Sequence, residues 1–542
     1  MRGLSGKEWV LLSEVVKPNE DLVRAFGPLK AQILANRNAV VQSLDSKLKN
    51  LAPPFDIPNI QEAVEIIKTF VLQGKSIALF GDYDVDGITG TAILYDLLKK
   101  AGAKVLPVLP TRRRGYGLTP DLIYKLKGYA DLLITIDNGT TAVEELSLAK
   151  MPTIVLDHHN PGDRLPPALI VNPKLSSPKV SELKEISSSG LAFYVAALLR
   201  KELELEVDVR EYLHLACLGT VADVMPMNFI NRIIVSNGIR LLNHILKGGF
   251  PVPGLRFLME RSGIKDKVSS RDIAFSLAPR LNAPGRLSSP YPSLRVLIEK
   301  REDKARYLAD KIERFNQERK HLSQAAFEVS LEQAIHQEEH SLIIVKLEER
   351  AGGVAGIVAG RLANFFSKPV IVLSVGKEYS TASVRGVEGM DIYTPLKKLS
   401  HFFIKWGGHS SAAGFTIRTD QIQDFEKEAK AVFVKVPISE GKLYVDMELP
   451  LEKVGQEIYR SLAELEPFGE GFPEPSFLSE PLNLNILGGR DRMRLKAREF
   501  YFLSWDTALN NKLLTVENKP RRVVYQLDKR RPNTLLLVDV EE

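Results

Sequence analysis

Residues 77–90 read IALFGDYDVDGITG, and this stretch decides the fold. An apolar run ends at Phe80, aspartates follow at alternate positions 82, 84 and 86, and a segment with apolar residues at helical spacing comes next. A buried strand, an acidic turn and a helix predict one unit of a parallel α/β sheet. Ligands of such sheets bind beyond the carboxyl ends of the strands, where these aspartates lie. Because three neighbouring carboxylates repel one another, we expect a divalent cation between them.

Two other kinds of site begin with similar residues. An EF-hand calcium loop also starts DxDxDG, but it needs a glutamate at its twelfth position, which here is Ile93. A P-loop ends in Gly-Lys-Ser, as at residues 74–76, but it needs a glycine at position 69, which here is threonine. Both are excluded. A solvated acidic turn without a metal remains open from this stretch alone.

The composition is that of a globular chain with several domains. A length of 542 residues is too great for a single core, and 44% hydrophobic with 26% charged residues is typical of globular proteins. The single cysteine, Cys217, excludes a disulfide framework and indicates a reducing compartment. The sequence contains no run of 18 apolar residues and no signal-peptide pattern. We therefore expect a cytoplasmic protein without a membrane span.

Two further predicted strands end in residues that can bind metals. Residues 131–136 precede Asp137-Asn138-Gly139, and residues 152–156 precede Asp157-His158-His159. The carboxyl ends of parallel strands meet at one edge of a sheet, so these side chains should gather beside the aspartates of the first turn.

Asp223 is a fourth candidate, because a lone acid in an apolar segment is costly unless it is paired or binds a metal. Mixed aspartate and histidine ligands favour Mn²⁺ or a similar first-row ion over calcium. Two ions that share a carboxylate would suit phosphoester hydrolysis.

The positive charge of the chain is concentrated near its C-terminus. Residues 490–531 carry 12 Lys or Arg against 5 Asp or Glu, which exceeds the net charge of +6 of the whole chain. Within this region RMRLKAR, at residues 492–498, alternates basic and apolar residues, and aromatic residues follow at 500, 501, 502 and 505. As a strand it has one basic and one buried face. A basic face with aromatic rings predicts a single-strand-binding OB-fold, and a protected edge strand is the alternative.

Several motifs resemble those of the DHH phosphoesterase family. DYDVDG at 82–87, DNG at 137–139, DHH at 157–159 and GTVAD at 219–223 match its four motifs in order. GGHSSAAG at 407–414 is similar to the glycine-rich motif of the companion DHHA1 domain. PRLNAPGR at 279–286 and PFGEGFPEP at 467–475 narrow the resemblance to the family's single-strand-specific 5′→3′ DNA exonucleases. The likeness runs from about residue 50 to the C-terminus.

The resemblance implies a set of metal ligands and catalytic residues. One or two Mn²⁺ or Mg²⁺ ions would be held by Asp82, Asp84, Asp86, Asp137, His158 and Asp223. The catalytic residues would be His159, Asp137 and Asp86, with Asp137 bridging the ions and His159 against the scissile phosphate. Relatives often have a histidine four residues before Asp84, where this chain has Phe80. Either Asp82 substitutes for that ligand or that ion binds more weakly.

The resemblance also implies DNA contacts. The candidates are Arg280, Arg361, Ser383 and Arg385 at the 5′ end, His409 near the metals, and Arg492, Arg494, Lys496 and Arg498 on the C-terminal domain. A glycine-rich helix entry at 352–360 can present N–H groups to phosphate or can serve close packing, and a histidine that relatives carry there is replaced by Ala351. The arginines at 112–114 either contact phosphate or form a solvated loop.

The expected architecture is α/β, with a parallel-sheet DHH domain joined by a long helix to a smaller α/β DHHA1 domain and followed by a C-terminal OB-fold β-barrel. The expected segments are an N-terminal helical segment 1–52, the DHH domain 53–298, the connecting helix 299–330, the DHHA1 domain 331–437 and the OB-fold 438–542. The implied function is metal-dependent 5′→3′ hydrolysis of single-stranded DNA in repair and recombination. We expect a monomer, with a helicase or a single-strand-binding protein as candidate partner. The alternatives are a relative that cleaves short oligoribonucleotides or cyclic dinucleotides, and a catalytically silent DNA-binding scaffold.

Overall fold

The computed structural model describes residues 1–111, 117–176, 180–387, 389–434, 441–489, 492–517 and 519–542, so the arginines at 112–114 lie outside the described residues. The chain forms two compact units. One unit comprises Val40–Gln317 with Leu465–Pro473. The other comprises Met1–Ala39, Glu318–Glu464 and Glu474–Glu542. Within the described part of the chain, no helix combines the length and the apolar character needed to cross a membrane.

The chain begins with a strand and two helices. These elements are β1 (Glu8–Leu11), α1 (Leu12–Val15) and α2 (Glu20–Ala35). Helix α2 starts at the cap Asn19, whose side chain accepts a hydrogen bond from the N–H of Leu22. Gly27 has non-helical angles, and the helix bends there, directly before Pro28.

The first unit contains a five-stranded sheet whose order is β3-β2-β4-β5-β6 and whose pairings are all parallel. Its strands and the helices among them are α3 (Ile60–Leu72), β2 (Ser76–Gly81), α4 (Val85–Lys100), β3 (Lys104–Val108), α5 (Pro120–Leu126), β4 (Leu132–Ile136), α6 (Val143–Ser147), β5 (Thr153–Leu156) and β6 (Leu169–Val171). The predicted parallel sheet is confirmed. Strands β2, β4 and β5 are almost wholly buried, which is why their sequences are continuous apolar runs.

Helices complete this unit. They are α7 (Ser188–Glu202), α8 (Leu213–Ala222), α9 (Phe229–Leu246), α10 (Pro253–Arg261), α11 (Ser270–Asp272), α12 (Ala278–Leu287) and α13 (Tyr291–Ile298). A π-helical turn, Ile273–Leu277, joins α11 to α12. Helices α4, α7 and α8 pack against one another, and they bring the starts of α4 and α7 and the end of α8 to the carboxyl edge of the sheet.

The predicted long helix is present as α14 (Glu302–Ile335). Residues 302–317 belong to the first unit and the rest to the second. Three arginines of the first unit pair with acids of this helix, at 2.8 Å for Arg256 and Glu302, 2.7 Å for Arg261 and Asp310, and 2.6 Å for Arg280 and Glu313. Several of the charged side chains of this helix therefore form ion pairs.

The second unit contains a mixed sheet of five strands with the order β10-β11-β9-β8-β7. Its elements are β7 (Ile343–Glu348), α15 (Ala355–Phe366), β8 (Val370–Val375), β9 (Tyr379–Arg385), α16 (Tyr393–Lys398), β10 (Phe403–Gly408), β11 (Ala412–Arg418) and α17 (Ile422–Phe433). Only β7 and β8 pair in parallel. Separate apolar clusters contain alternate residues of β8, Ile371 in one and Val372 in the other, so both faces of the sheet are covered.

The C-terminal part of this unit is mainly β. Its elements are β12 (Lys442–Val445), β13 (Met447–Glu448), α18 (Gln456–Ala463), β14 (Phe477–Leu478), β15 (Asn485–Gly488), β16 (Met493–Ala497), β17 (Phe500–Ser504), α19 (Thr507–Leu513), β18 (Val523–Leu527) and β19 (Thr534–Val540). Seven of the strands form one sheet in the order β13-β14-β18-β19-β17-β16-β15. In β16 the predicted alternation is present, because Met493, Leu495 and Ala497 are buried and the residues between them are exposed.

The first residues differ from the helical segment that the sequence predicts. Strand β1 pairs in parallel with β12, and the indole Nε1 of Trp9 donates to the carboxylate of Asp539 at 2.8 Å. Arg37, directly after α2, forms a buried ion pair with Asp446 at 2.6 Å. A four-residue strand whose partner lies more than 400 residues away has no periodicity of its own that sequence analysis can detect.

Candidate metal centre and nucleic-acid interface

The turn between β2 and α4 carries three of the predicted ligands. Asp84 caps α4, and its Oδ1 accepts from the N–H groups of Asp86 and Gly87 at 3.0 and 3.2 Å. Asp82 and Asp86 are buried. Gly87 is required by close approach, because a Cβ at this position would lie 2.5 Å from the backbone nitrogen of Asp82. The DxDxDG spacing thus folds the acids back into the end of the sheet.

The start of helix α7 holds the carboxylate of Asp86. The backbone N–H of Ser188 donates to Oδ2 at 2.7 Å, and that of Ser189 donates to Oδ1 at 3.0 Å. N–H groups in the first turn of a helix have no partner inside the helix, and the helix dipole favours a negative charge there. On α8, Gly219 leaves the necessary room, because a Cβ would lie 2.3 Å from Oδ1 of Asp86. This contact explains the glycine of the GTVAD motif.

Asp137 follows β4 in the left-handed backbone conformation, with φ of 65°. Its N–H donates to the carbonyl of Leu156 at 2.9 Å, and the side chain of Asn138 donates to the carbonyl of Ile136 at 3.0 Å. The hydroxyl of Ser188 donates to Oδ1 of Asp137 at 3.0 Å. The backbone and the side chain of this acid are therefore both fixed.

The two adjacent histidines have different environments. His158 is buried, and its Nε2 lies 3.3 Å from both Asp137 Oδ1 and Asp223 Oδ2, yet neither ring nitrogen has a hydrogen-bond partner among the described residues. The side chain of His159 is half exposed, and its Nδ1 lies 2.7 Å from Oδ1 of Asp157. The other oxygen of Asp157 accepts from the N–H of Thr140 at 3.0 Å.

Ligand atoms from four distant points of the chain converge here. They form three overlapping groups whose ligand atoms lie within 4.8 Å of one another. The groups are Asp82 with Asp84 and Asp137, Asp86 with His158 and Asp223, and Asp137 with His158 and His159. These groups include all six residues of the predicted ligand set, and Asp137 and His158 each belong to two of them.

Burial and mutual repulsion act against charge on these acids. Burial, opposed by hydrogen bonds from Ser189 and reinforced by the charge of Asp84, raises the pKa of Asp86 to about 6. Burial and the charges of Asp86 and Asp84 raise the pKa of Asp223 to about 8. The pKa of Asp137 lies well above its usual value for the same reasons. Without a cation the centre would hold protons at neutral pH.

The histidines shift in opposite directions. Burial, helped by the charge of His159, lowers the pKa of His158 to about 3, so this ring is neutral and can bind a metal. Burial also acts to lower the pKa of His159, but the hydrogen bond and the charge of Asp157 outweigh it and raise that pKa to about 9. The same contact outweighs burial at Asp157 and keeps its pKa below the usual range. His159 is therefore a cation at neutral pH.

These residues fit a divalent cation of the Mn²⁺ or Mg²⁺ type. The donor set contains carboxylates and a neutral imidazole, which suits a first-row ion. The buried His158 has no hydrogen-bond partner for either ring nitrogen among the described residues, and a bound ion would supply one. Phe80 is fully buried in the apolar cluster that contains Ile123 and Leu133, so it takes no part. Asp82 is the acid that the first group supplies in its place.

Two of the residues expected at the DNA 5′ end lie beside the first turn of α15. A Cβ on Gly356, the second residue of that helix, would lie 3.2 Å from Nη2 of Arg385 and 3.6 Å from Oγ of Ser383. This glycine therefore gives the guanidinium and the hydroxyl access to the helix start. Such a start can bind phosphate through its backbone N–H groups.

The other three residues expected to contact the strand have contacts of their own. The guanidinium of Arg361 packs over the ring of Phe327 at 3.8 Å and donates to Gln324 at 2.9 Å. Arg280 is engaged by Glu313 and is largely buried. His409 is exposed in the turn between β10 and β11, where its Nδ1 lies 3.1 Å from Oγ of Ser411.

The basic face of the C-terminal sheet is present, with one correction. The guanidinium of Arg494 lies 3.9 Å from the ring centre of Tyr501, and that of Arg492 lies 5.7 Å from the ring centre of Trp505. Lys496 lies 5.8 Å from the ring centre of Tyr501. Arg498 does not continue the strand, because β16 ends one residue earlier and Arg498 has φ of 53°. Its guanidinium pairs with Glu480 at 2.8 Å.

Sequence analysis missed the residues that position the ligands. Ser188 and Ser189 gave no signal, because serines at a helix start are common caps. Asn172 was also missed, although its side chain donates to the carbonyl of His159 at 2.9 Å and to the hydroxyl of Thr140 at 3.1 Å. Its place directly after an apolar strand is the same signal that identified Asp137.

Comparison with known proteins gives matches along the chain. Three families match, described as the DHH family, N-terminal domain, over residues 76–220, the DHHA1 domain over 339–435, and the RecJ OB domain over 445–533. The single-stranded-DNA-specific exonuclease RecJ of Thermus thermophilus is 32% identical over 467 residues, which are 84% of this chain and 67% of that protein. Its namesake in Bacillus subtilis is 30% identical over 86% of this chain and 61% of that protein. That of Escherichia coli is 30% identical over 85% of each. The chain thus spans about two thirds of the first two relatives.

Solved structures agree with these relatives. The crystal structure of RecJ in complex with Mn²⁺ from Thermus thermophilus has a TM-score of 0.85 at 29% identity and covers 99% of this chain and 79% of that one. A crystal structure of exonuclease RecJ bound to manganese has a TM-score of 0.61 at 33% identity, with 70% and 96% covered.

Proposed function

Because the chain belongs to the RecJ family of single-stranded-DNA-specific exonucleases, we propose that it hydrolyses single-stranded DNA from the 5′ end with Mn²⁺ or Mg²⁺. The observation that carries this proposal is the convergence of acids and imidazoles from four points of the chain on one edge of the sheet. Repelling carboxylates are costly to assemble unless they bind cations. The activity serves DNA repair and recombination.

We assign one or two ions to the six converging ligands. Asp82, Asp84, Asp86, Asp137, His158 and Asp223 hold them, and Asp137 is shared. When bound, such ions activate water and offset the charge that develops on a phosphodiester. Asp86 and Asp137 keep their orientation through hydrogen bonds from α7, so the protein does not reorganise when substrate arrives.

His159 supplies positive charge beside the metal ligands. Its Nδ1 donates to Asp157, which leaves Nε2 with a proton to present to a phosphate oxygen or to the leaving oxygen. Because Asp157 is fixed in turn by the N–H of Thr140, the imidazolium keeps one orientation.

The 5′ phosphate is proposed to bind at the start of α15. Arg385 and Ser383 lie beside that helix start, and an arginine fork binds phosphate at two points. Arg361 is assigned to the 5′ end as well, and His409 to the strand near the metals. Arg280 belongs to the proposal as well, although its ion pair with Glu313 must then be exchanged for one with phosphate.

The C-terminal domain is proposed to bind the remainder of the strand. Arg492, Arg494 and Lys496 follow the backbone charge, and Tyr501 and Trp505 stack on bases. Arg498 contributes at the edge of this surface, since its side chain is about half exposed despite its ion pair. A substrate of two or three nucleotides would not need this surface, which disfavours the short-oligonucleotide and cyclic-dinucleotide alternatives.

The setting of the reaction is proposed on the same basis. We assign the protein to the cytoplasm as a monomer, with a helicase or a single-strand-binding protein as partner. The single cysteine, which is buried, accords with a reducing compartment.

An assay with end-labelled DNA tests the function. With Mn²⁺ present, label should be released first from the 5′ end of single strands and slowly from duplex. Asp137→Ala should abolish release while leaving DNA binding largely intact, because the carboxylate holds ions rather than bases. Release that begins at the 3′ end would contradict the direction, and no release would support the silent scaffold.

A further inference from the structure

One buried serine contacts two acids of the proposed metal centre. Ser188 is fully buried. Its hydroxyl donates to Oδ1 of Asp137 at 3.0 Å, and its backbone N–H donates to Oδ2 of Asp86 at 2.7 Å. These two acids belong to different groups of converging side chains, and Asp137, like His158, is a member of two of the groups.

Among the described residues, the hydroxyl of Ser188 donates a hydrogen bond to Oδ1 of Asp137, whereas Nε2 of His158 lies 3.3 Å from the same oxygen without forming one. The left-handed backbone and the N–H bond to Leu156 fix where the side chain starts. They leave the rotation of the carboxylate plane free, and the hydroxyl is the hydrogen-bond donor to that carboxylate in the described structure. An acid that serves two ions must keep both oxygens in set directions, so rotation would cost affinity at both.

We propose that Ser188 is a positioning residue for the metal ions, whose hydroxyl orients the shared carboxylate of Asp137 while its N–H orients Asp86. This inference rests on the proposed metal-dependent function. Groups that hold a metal ligand in place typically contribute 10- to 100-fold to affinity. Loss of the hydroxyl should weaken ion binding while the backbone contact to Asp86 persists.

Ser187 is the matched control. It is the preceding residue and is equally buried, and its hydroxyl accepts from the N–H of Gly190 and contacts Ser189 and Thr220. Ser187→Ala thus removes the same atom from the same helix start, and it costs stability as the loss of a cap does. It leaves the bond between Ser188 and Asp137 in place.

The experiment is a titration of the full chain with Mn²⁺, in which free Mn²⁺ is measured by electron paramagnetic resonance without any DNA. Ser188→Ala should raise the Kd for Mn²⁺ about 10- to 100-fold. Ser187→Ala should bind Mn²⁺ as the wild type does and should melt at a lower temperature in EDTA. Ser188→Cys, which keeps the volume but donates weakly, should lie between Ser188→Ala and the wild type.

Three outcomes would overturn the inference. If Ser188→Ala and Ser188→Cys both bind Mn²⁺ like the wild type, the hydroxyl has no such role, and the proposed function stands. If Ser187→Ala loses as much affinity as Ser188→Ala, general loosening of α7 explains the effect. If the wild type itself binds no Mn²⁺, the proposed function fails together with the inference.

Discussion

The Nδ1 of His159 lies 2.7 Å from Oδ1 of Asp157, and this contact keeps the imidazole protonated although burial opposes it. The neighbouring ring, at position 158, is neutral because its burial and the charge of His159 lower its pKa to about 3 and outweigh the charge of Asp157. The two adjacent histidines are therefore suited to different chemistry, because a neutral ring can bind a metal and a protonated ring can offset negative charge.

Asp157→Asn should move the alkaline limit of activity to lower pH. In the wild type the pKa of His159 is about 9, so a reaction that needs the imidazolium persists until the pH passes that value. Without the carboxylate of Asp157, the hydrogen bond and the first of the charges that raise this pKa are lost, so the pKa should lie below that of the wild type. The measurement is kcat/KM against pH with saturating Mg²⁺. His159→Ala, the control, should lower kcat/KM about 10²- to 10⁴-fold. Its pH profile should not show the fall in activity that deprotonation of His159 causes on the alkaline side. If the activity of Asp157→Asn still fell only near pH 9, this result would contradict the role of Asp157 in keeping His159 protonated.

Stability without metal should fall as the pH rises from about 4 to 8. Asp86, Asp137 and Asp223 have raised pKa values in the folded state, so their contribution is complete below the unfolded pKa of 3.8 and is lost as they ionise. Bound Mn²⁺ reverses the loss, because it requires the ionised forms. The gap in Tm between Mn²⁺-loaded and EDTA-treated protein should therefore widen with pH. Calorimetry at several pH values measures this difference in Tm. A difference that did not change with pH would contradict the coupling between Mn²⁺ binding and ionisation of the acids.

Asp137→Asn separates this effect from general acid sensitivity. Asparagine tolerates the left-handed backbone that Asp137 adopts, and it carries no charge. The metal-free variant should be more stable at neutral pH than the metal-free wild type, because the raised pKa of Asp137 makes ionisation of that acid costly in the folded state. Mn²⁺ should raise its Tm little. A variant that gains as much from Mn²⁺ as the wild type would remove Asp137 from the ligand set.

His214 should make the first unit sensitive to acid independently of the metal centre. Burial lowers its pKa to about 4, so the stability it contributes is present above 6.5 and is lost as the pH falls toward 4. Between pH 7 and 5 the loss is about 2 kcal/mol. The free energy of unfolding of His214→Leu should fall less than that of the wild type between pH 7 and 5. The three tryptophans, 9, 406 and 505, all lie in the second unit, so hydrogen exchange in α8 is the suitable measurement.

Arg494→Ala should weaken binding of long single strands and lower the salt dependence by about one phosphate contact. Its guanidinium lies on Tyr501 in the basic face of β16. Arg498→Ala is the control, because that arginine lies beyond the strand and pairs with Glu480. Fluorescence anisotropy at several salt concentrations gives the slope of log affinity against log salt concentration. This slope should change less in the control than in Arg494→Ala. If the affinity depended on salt concentration equally in the two variants, the proposed difference between Arg494 and Arg498 in DNA binding would be wrong.

Breaking the pair of Arg37 and Asp446 should destabilise the second unit. Both side chains are about 95% buried, and removal of one partner leaves a buried charge, which costs about 3–5 kcal/mol. Arg37→Met should therefore lower the midpoint of unfolding followed by tryptophan fluorescence. Arg24→Ala, which breaks the exposed pair with Glu20, should change it little. If Arg37→Met and Arg24→Ala unfolded with similar midpoints, the pair of Arg37 and Asp446 would not stabilise the second unit.

The sequence predicted the parallel sheet and the side chains that converge at its edge, because each of these residues follows an apolar strand or lies in an apolar helix. Asp82, Asp137 and His158 could be assigned in this way. The orienting contacts of Ser188 and Asn172 could not, since both depend on loops that meet only in the folded chain. The engagement of Arg280 by Glu313 was equally invisible, because both residues belong to patterns that are usually solvated. Local periodicity reports burial, but it does not report which polar groups meet.

The pairing of β1 with β12 has a consequence for synthesis on the ribosome. Glu8 pairs with Lys442, so the strand emerges long before its partner exists. At 5–20 residues per second that interval is roughly 20–90 s. Val40–Gln317 of the first unit is translated in this interval, whereas its second segment, Leu465–Pro473, follows β12. Residues 8–11 of the nascent polypeptide therefore lack their strand partner, and are open to proteases and chaperones, until residues 442–445 have been synthesised.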